Sequence, residues 1–270
     1  MEPWIEYPYE LISLLGEGNS ASVYLAQDMR DGSYAACKIV PWKNVVGLAA
    51  LEREWDILSM LDHPAIPRPI DCMETSAGKM LVMTHMPGIT PVNLCPPDFI
   101  DSWEEMSAIV QSRSWEALAA YWGYRICHIL SYLHNREDPL IYGDLKPANL
   151  KITEDGSITM VDLGTACFQS LARRGKAAGE AFSGTVGYAA PEQYPEEAGY
   201  PTPATDIYAL GILLREWLQP VEMSERMRSI IDKCTAYRAA DRWYSADVLS
   251  LHLRGLYEVR RGELFLRRNW

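Results

Sequence analysis

Asp144, Lys146 and Asn149 fall within the run Ile141-Tyr142-Gly143-Asp144-Leu145-Lys146-Pro147-Ala148-Asn149, and a second acid, Asp162, follows the first by 162 − 144 = 18 positions. Two carboxylates, a carboxamide and an ammonium gathered round one small volume would suit magnesium-assisted phosphoryl transfer. They supply a base for a hydroxyl, oxygen ligands for a hard cation and positive charge for the moving phosphoryl group. The intervening residues explain the offset. Leu150-Lys151-Ile152 reads as a strand, Glu154-Asp155-Gly156 as a turn and Ile158 to Val161 as a returning strand that delivers Asp162-Leu163-Gly164.

Those residues need elements to hold them. From Tyr9 to Glu74 the pattern is one of short strands and turns: Leu11 to Leu15 ending at Gly16 and Gly18, then Val23 to Ala26, a hairpin turn at Asp31-Gly32, and Tyr34 to Val40. Leu51, Trp55 and Leu58 recur at helical spacing, and His63-Pro64 is expected to close that helix. Ile70 to Met73 and Met80 to Val82-Met83 read as two more strands round a turn at Ser76 to Lys79. The expectation is an antiparallel sheet carrying one helix. Met86-Pro87-Gly88 marks a joint, beyond which the pattern turns helical. Leu118, Trp122, Ile126, Ile129 and Leu133 share one face, and Ile207 to Leu214 is apolar nearly all round, as in a buried helix. Met227, Ile230, Ile231 and Cys234 form an amphipathic run, and helical material resumes at Ala246.

The chain has 270 residues, 48% of them hydrophobic, enough for one large core or two lobes. A net charge of −11 argues against a nucleic-acid binder, which would show a basic stripe. Six cysteines lie far apart with no CxxC pair, which argues against zinc and suits a reducing cytoplasm. No apolar run reaches the ~18 residues of a membrane span, and Glu2 and Pro3 after Met1 do not read as a secretory signal. The expectation is a soluble cytoplasmic protein of unknown oligomeric state.

The stretch round Asp144 and Asp162 resembles the catalytic and metal-binding loops of the eukaryotic-like serine/threonine protein kinases, in a compact form with bacterial-looking wording. The rest of the chain, from Tyr9 to Leu251, follows in that family's order. Gly16-Glu17-Gly18-Asn19-Ser20-Ala21-Ser22-Val23 lies between two strands, as the family's phosphate-covering loop does, with Ala21 at the third glycine; alone, it is a hairpin as readily. Lys38 in Ala35-Ala36-Cys37-Lys38 matches the phosphate-holding lysine. Glu54 matches its helix partner, preferred over Glu52 because it lies four residues before Leu58 on the same face. Met83-Thr84-His85-Met86 matches the adenine hinge. Asp144 matches the base, Lys146 the serine/threonine-type lysine, and Asn149 and Asp162 the Mg²⁺ ligands. Gly184 to Glu192 ends in the family's Ala-Pro-Glu, Asp206 matches the anchor of the catalytic loop, and Arg242 the partner of Glu192.

The resemblance implies an α+β, two-lobed fold: residues 1–86 as a nucleotide-binding lobe of antiparallel sheet plus one helix, and 87–270 as a mainly helical lobe. It implies an ATP- and Mg²⁺-dependent transfer to serine or threonine hydroxyls of protein substrates. Asp144, Lys146, Lys38 and Glu54 would be catalytic. Gly16, Gly18, Val23, Ala36, Lys38, Met83, Thr84 and Met86 would hold the nucleotide. Catalysis would be mostly placement and electrostatics.

Four departures bear on this. Tyr142-Gly143 replaces the usual His-Arg, so no guanidinium is present to grip a phosphorylated activation segment; activity is expected not to need phosphorylation of Ser170 or Ser183. Lys151 stands where the family places a leucine under the adenine, its stem expected to cover the ring while the ammonium reaches water. Few residues separate Trp217 from the amphipathic run, so the extra helix that docks protein substrates is expected to be missing. The arginines at 254, 260, 261, 267 and 268 read as a solvated face or as a docking element for an acidic partner. Two rivals remain open at this level. Gly143-Asp144 echoes the loop of aminoglycoside or choline-type small-molecule kinases, and altered adenine affinity would suit a pseudokinase binding module.

Overall fold

The computed structural model describes residues 7–18, 20–92, 115–177, 184–197, 199–219 and 221–267, with backbone alone for 176–177 and 258–267. The chain separates into two compact units. The first holds residues 1–87 together with Val161–Gly164, and the second holds 88–160 and 165–270.

In the first unit, β1 (Tyr9–Glu17), β2 (Ser22–Asp28), β3 (Tyr34–Pro41), β4 (Pro69–Glu74) and β5 (Gly78–Thr84) form one antiparallel sheet in the order β1-β2-β3-β5-β4. Its buried face gathers Tyr9, Ala26, Ala35, Cys37, Met80 and Val82 into a core. The turn before β5 is set by Thr75, whose hydroxyl accepts the amides of Ala77 and Gly78 at 3.2 and 3.1 Å.

The helix α1 (Val45–Ser59) starts where Asn44 accepts the Gly47 amide at 2.9 Å, an N-cap. It buries Leu51, Glu54, Ile57 and Leu58. It ends at Ser59, earlier than the His63-Pro64 stop read from sequence. The amides of Met60 and Leu61 fall back to i−3 carbonyls, tightening the last turn. His63 instead organises a separate turn, its Nδ1 accepting the Ala65 amide at 3.1 Å.

In the second unit, α2 (Trp115–His134) and α4 (Pro203–Trp217) are buried on most of their surface. Trp122 lies at the centre, edge-on to Trp115 and Trp217 with ring centroids 5.9 and 5.6 Å apart. The amphipathic run forms α5 (Glu225–Cys234), and α6 (Ala246–Arg267) packs on α2. Only residues 218–224 join α4 to α5, too few for another helix. Ser224 fastens this link: its hydroxyl accepts the Met227 amide, while its own amide and hydroxyl donate to the buried Glu116 carboxylate at 2.6 and 2.9 Å.

The hairpin β7 (Leu150–Ile152) and β8 (Ile158–Met160) pairs as the sequence suggests, one residue shorter at Val161. Three elements were not expected. The strands β6 (Leu140–Ile141) and β9 (Cys167–Phe168) form a two-residue antiparallel pair, and α3 (Gln169–Ala177) follows directly. Asp138 starts α3, accepting the Ser170 amide at 3.0 Å and the Ser170 hydroxyl at 2.5 Å.

Candidate active site

The register of the first unit aligns the residues read as nucleotide-binding. Gly16 pairs with Val23 across β1–β2, and Val23 pairs with Lys38 across β2–β3. Directly opposed residues share a face of the sheet, so Val23 and Lys38 lie side by side. Ala36, two positions before Lys38, is on that same face and pairs with Met83 on β5. The Gly18 amide closes the β1–β2 turn on the Ala21 carbonyl at 2.9 Å, and a side chain at Gly16 would meet nothing within 4 Å. At the end of β5, the Thr84 amide donates to the Arg68 carbonyl at 2.9 Å, so that amide is not available to an adenine; its hydroxyl lies 3.9 Å from the sulfur of Met86.

Lys38 is held by two carboxylates. Its ammonium donates to Glu54 at 2.6 Å and to Asp162 at 2.8 Å. Glu54 is 1% exposed and its second oxygen accepts the Leu163 amide at 3.0 Å. Burial alone would lower the lysine's pKa, but Glu54 and Asp162 more than offset it, so Lys38 is firmly charged. Burial pushes the Glu54 carboxyl up against the pull of Lys38. Glu52, the alternative in the sequence, points elsewhere and pairs with Lys79 at 2.6 Å. Asp162 adopts φ +61°, the sole non-glycine in that region among the described residues, and its side chain is about half exposed.

Asp144, in the second unit, is ringed by donors. The Thr185 hydroxyl donates to Oδ1 at 2.6 Å, and the Lys146 ammonium donates to Oδ2 at 2.7 Å and to Thr185 Oγ1 at 2.7 Å. Asn149 donates through Nδ2 to the Asp144 carbonyl and to Oδ2 at 2.9 and 3.1 Å. The loop carrying them is pinned from below. Asp206, fully buried on α4, accepts the Tyr142 and Gly143 amides at 2.9 and 2.8 Å, with His134 Nε2 at 2.8 Å. Arg242 grips Glu192 through two parallel bonds of 2.7 and 2.8 Å. Burial works to raise the Glu192 pKa, and the guanidinium more than reverses it.

A family model for the protein kinase domain matches residues 9–246. The chain belongs to the protein kinase domain family. Its antiparallel five-stranded sheet and its helices are that family's α+β fold. Relatives include CBL-interacting serine/threonine-protein kinase 18 of Arabidopsis thaliana, 29% identical over 76% of this chain and 37% of the relative. Aurora/IPL1-related protein kinase 2 of Caenorhabditis briggsae is 28% identical over 78% of this chain and 63% of its own length. Phototropin-1A of Oryza sativa subsp. japonica is 29% identical over 76% and 24%. The chain thus spans well under half the length of the first of these.

In this kinase domain Lys151 makes a contact of its own. Its half-buried side chain donates to the Thr90 hydroxyl at 2.8 Å, a bond the sequence does not mark, and desolvation lowers its pKa. Of the two serines named for the activation segment, Ser170 is on α3 and Ser183 lies outside the described residues, as do Asn19 and Cys95. Of the C-terminal arginines, Arg254 is exposed, whereas the side chains at 260, 261, 267 and 268 lie outside the described ones.

The donor chemistry fits magnesium. Among the described residues no group of three or more His, Cys, Asp or Glu is arranged for a metal, but Mg²⁺ takes only one or two protein oxygens and completes its shell with water and phosphate. Asn149, in the second unit, spends its nitrogen on Asp144, which leaves Oδ1 as its oxygen donor atom; Asp162, in the first, presents a half-exposed carboxylate. No helix is long and apolar enough to cross a membrane among the described residues. Sequence reasoning passed over Gln193, a buried carboxamide one residue beyond Ala-Pro-Glu. No pattern of polarity or spacing marks it, because its bond to the Gly143 carbonyl spans 50 positions.

Proposed function

We propose that this kinase domain transfers the γ-phosphate of ATP to serine or threonine hydroxyls of a protein substrate, with Mg²⁺. The observation that carries the reading is the Lys38 ammonium held between Glu54 and Asp162 at 2.6 and 2.8 Å. A charged lysine with a buried partner is a preset clamp for phosphate oxygens, and it loses little on binding because it is already ordered. Glu54 keeps it protonated and aimed; Val23 and Ala36 offer a small apolar face to the nucleotide, and Gly16 and Gly18, having no side chains, let the backbone of the β1–β2 turn lie close to its phosphates. Met83 to Met86 would take the adenine, with the Thr84 amide already spent on Arg68.

The family resemblance gives Asn149 and Asp162 as the residues that would hold Mg²⁺, whose chemistry when bound would be neutralisation of phosphate charge. Asp144 accepts a hydrogen bond from the incoming hydroxyl and takes its proton, and Thr185 and Asn149 fix the carboxylate's rotamer for that task. Lys146, two residues on, offers its ammonium to the charge on the transferred group. The ion pair of Glu192 with Arg242 and the Asp206 anchor are features of the family's protein-directed members, which supports a protein rather than a small alcohol as acceptor.

Radiolabelled ATP with Mg²⁺ and a panel of serine- and threonine-bearing proteins tests the reading. The wild type is expected to label hydroxyl side chains. Asp144→Asn, which keeps shape and removes the base, is expected to lose about 10²–10⁴-fold in rate. Equal labelling by the two proteins would refute it.

A further inference from the structure

Gln193 is 4% exposed and its carboxamide is used at both ends. Oε1 accepts the Ala190 amide at 2.8 Å, and Nε2 donates to the Gly143 carbonyl at 2.8 Å. One side chain therefore joins the first residue of Ala-Pro-Glu to the residue that precedes Asp144. The space it occupies is shaped for it. A Cβ placed on Gly184 would lie 2.9 Å from both Ala189 Cβ and Gln193 Nε2 and 3.4 Å from Gln193 Cδ, so a side chain there would push on Ala189 and on the amide together.

Gly143 completes the arrangement. Its φ is +79°, a region that strains residues with a side chain, and its peptide is gripped from both directions. Its amide donates to Asp206 at 2.8 Å, and its carbonyl accepts from Gln193. Pinning both polar groups of residue 143 fixes the point from which Asp144 projects. Thr185, on the segment that Gln193 holds, donates to the Asp144 carboxylate at 2.6 Å.

We propose that Gln193 is a positioning residue whose carboxamide ties the 184–190 segment to the catalytic loop at the Gly143 carbonyl, a neutral link that keeps Asp144 and Thr185 in register with no phosphate required. It rests on the phosphotransfer reading above. A guanidinium at 143 would need a phosphorylated residue as counterpart; a buried carboxamide finds both partners in the backbone. Glutamate at 193 still accepts from Ala190 but turns an acceptor towards the Gly143 carbonyl, so it breaks one bond and sets oxygen against oxygen.

The test compares wild type, Gln193→Glu, Gln193→Leu and Gly184→Ala, all as the full 270-residue chain. Each is assayed for thermal midpoint, for kcat and for KM of ATP and peptide, and for hydrogen exchange across 184–193. Gln193→Glu is expected to lower kcat by about 10- to 100-fold, the scale of a 1 Å misplacement, with KM for ATP within twofold. Exchange across 184–189 should rise, with the midpoint held within a few degrees. Gly184→Ala should give the same signature more weakly by pushing on the amide. Wild-type kcat and wild-type exchange in Gln193→Glu overturn the proposal. So does a midpoint that collapses in Gln193→Glu while Gly184→Ala stays silent, since that assigns the residue to packing alone. A wild type that labels no hydroxyl sinks the phosphotransfer reading, whereas the exchange arm then still decides the tie by itself.

Discussion

Removing the Arg242 guanidinium is the perturbation whose cost the structure sets most tightly. The side chain is fully buried, and it donates to Glu192 Oε1 and Oε2, to the Ala204 carbonyl at 2.9 Å, to Ala236 at 2.8 Å and to Tyr237 at 3.0 Å, while covering the Tyr208 ring. Arg242→Ala strips all of this at once. It leaves a carboxylate 5% exposed with the Thr205 hydroxyl at 2.8 Å among its remaining donors. Breaking a buried pair from one side costs about 3–5 kcal/mol, because the surviving charge is uncompensated. Each 1.4 kcal/mol is about tenfold in an equilibrium constant, so the loss is two to more than three powers of ten in the folded-to-unfolded ratio. That is a large fraction of the roughly 5–15 kcal/mol a domain possesses.

The reasoning makes a sharper demand on the double variant. If the cost comes from the stranded Glu192 rather than from the attraction lost, Arg242→Met with Glu192→Leu should recover most of it, since neither residue then leaves a buried charge. Urea unfolding followed by tryptophan fluorescence on the wild type, the two single variants and the double variant gives the coupling. The Glu192 carboxyl sits below its ordinary pKa when folded. Its contribution is therefore present above the unfolded value of about 4.3 and is lost as pH falls through the folded one. The gap between wild type and Arg242→Met should accordingly narrow in acid below about pH 4.3. A single-variant loss under about 1 kcal/mol, the range of an exposed pair, would refute the burial argument.

Two further outcomes are expected. Lys151→Leu should leave the melting temperature at pH 7 unchanged or raise it by about 1–3 °C, because the wild type partly buries an ammonium beside a neutral hydroxyl. The folded lysine has a lowered pKa, so the wild type should gain on the variant as pH climbs towards about 10.4, where the unfolded chain also loses the charge; a fall of several degrees at pH 7 would show that the Thr90 bond outweighs desolvation. Ser170→Ala combined with Ser183→Ala should keep kcat within about twofold, at a stability cost near 1 kcal/mol for the lost Asp138 bond; loss of activity in a folded variant would show that the segment needs a phosphate.

The parts legible in the sequence are those in which local periodicity and global placement agree. Glu54 could be chosen over Glu52 because the i,i+4 relation to Leu58 says which face of α1 is buried, and the structure buries Glu54 and sends Glu52 to Lys79. The β7–β8 hairpin was readable from apolar strands round a glycine turn. What was not readable has no period. Two-residue strands such as β6 and β9 are too short to alternate, and α3 buries Ala172 and Gly175 among arginines, so its helicity owes more to Asp138 than to an apolar stripe. The end of α1 was misplaced because the i−3 fallback at Met60 and Leu61 leaves no mark on composition.

Gly143 shows why the two levels must be read together. In the sequence it registers only as a loss, the absent guanidinium. In the folded chain the same residue sits at φ +79° with its amide on Asp206 and its carbonyl on Gln193, a geometry that a side chain would strain. A substitution that discards one way of ordering the segment is also the one that lets the loop be pinned without strain. The two effects are separable, because restoring a side chain as alanine reintroduces the strain without reintroducing the charge.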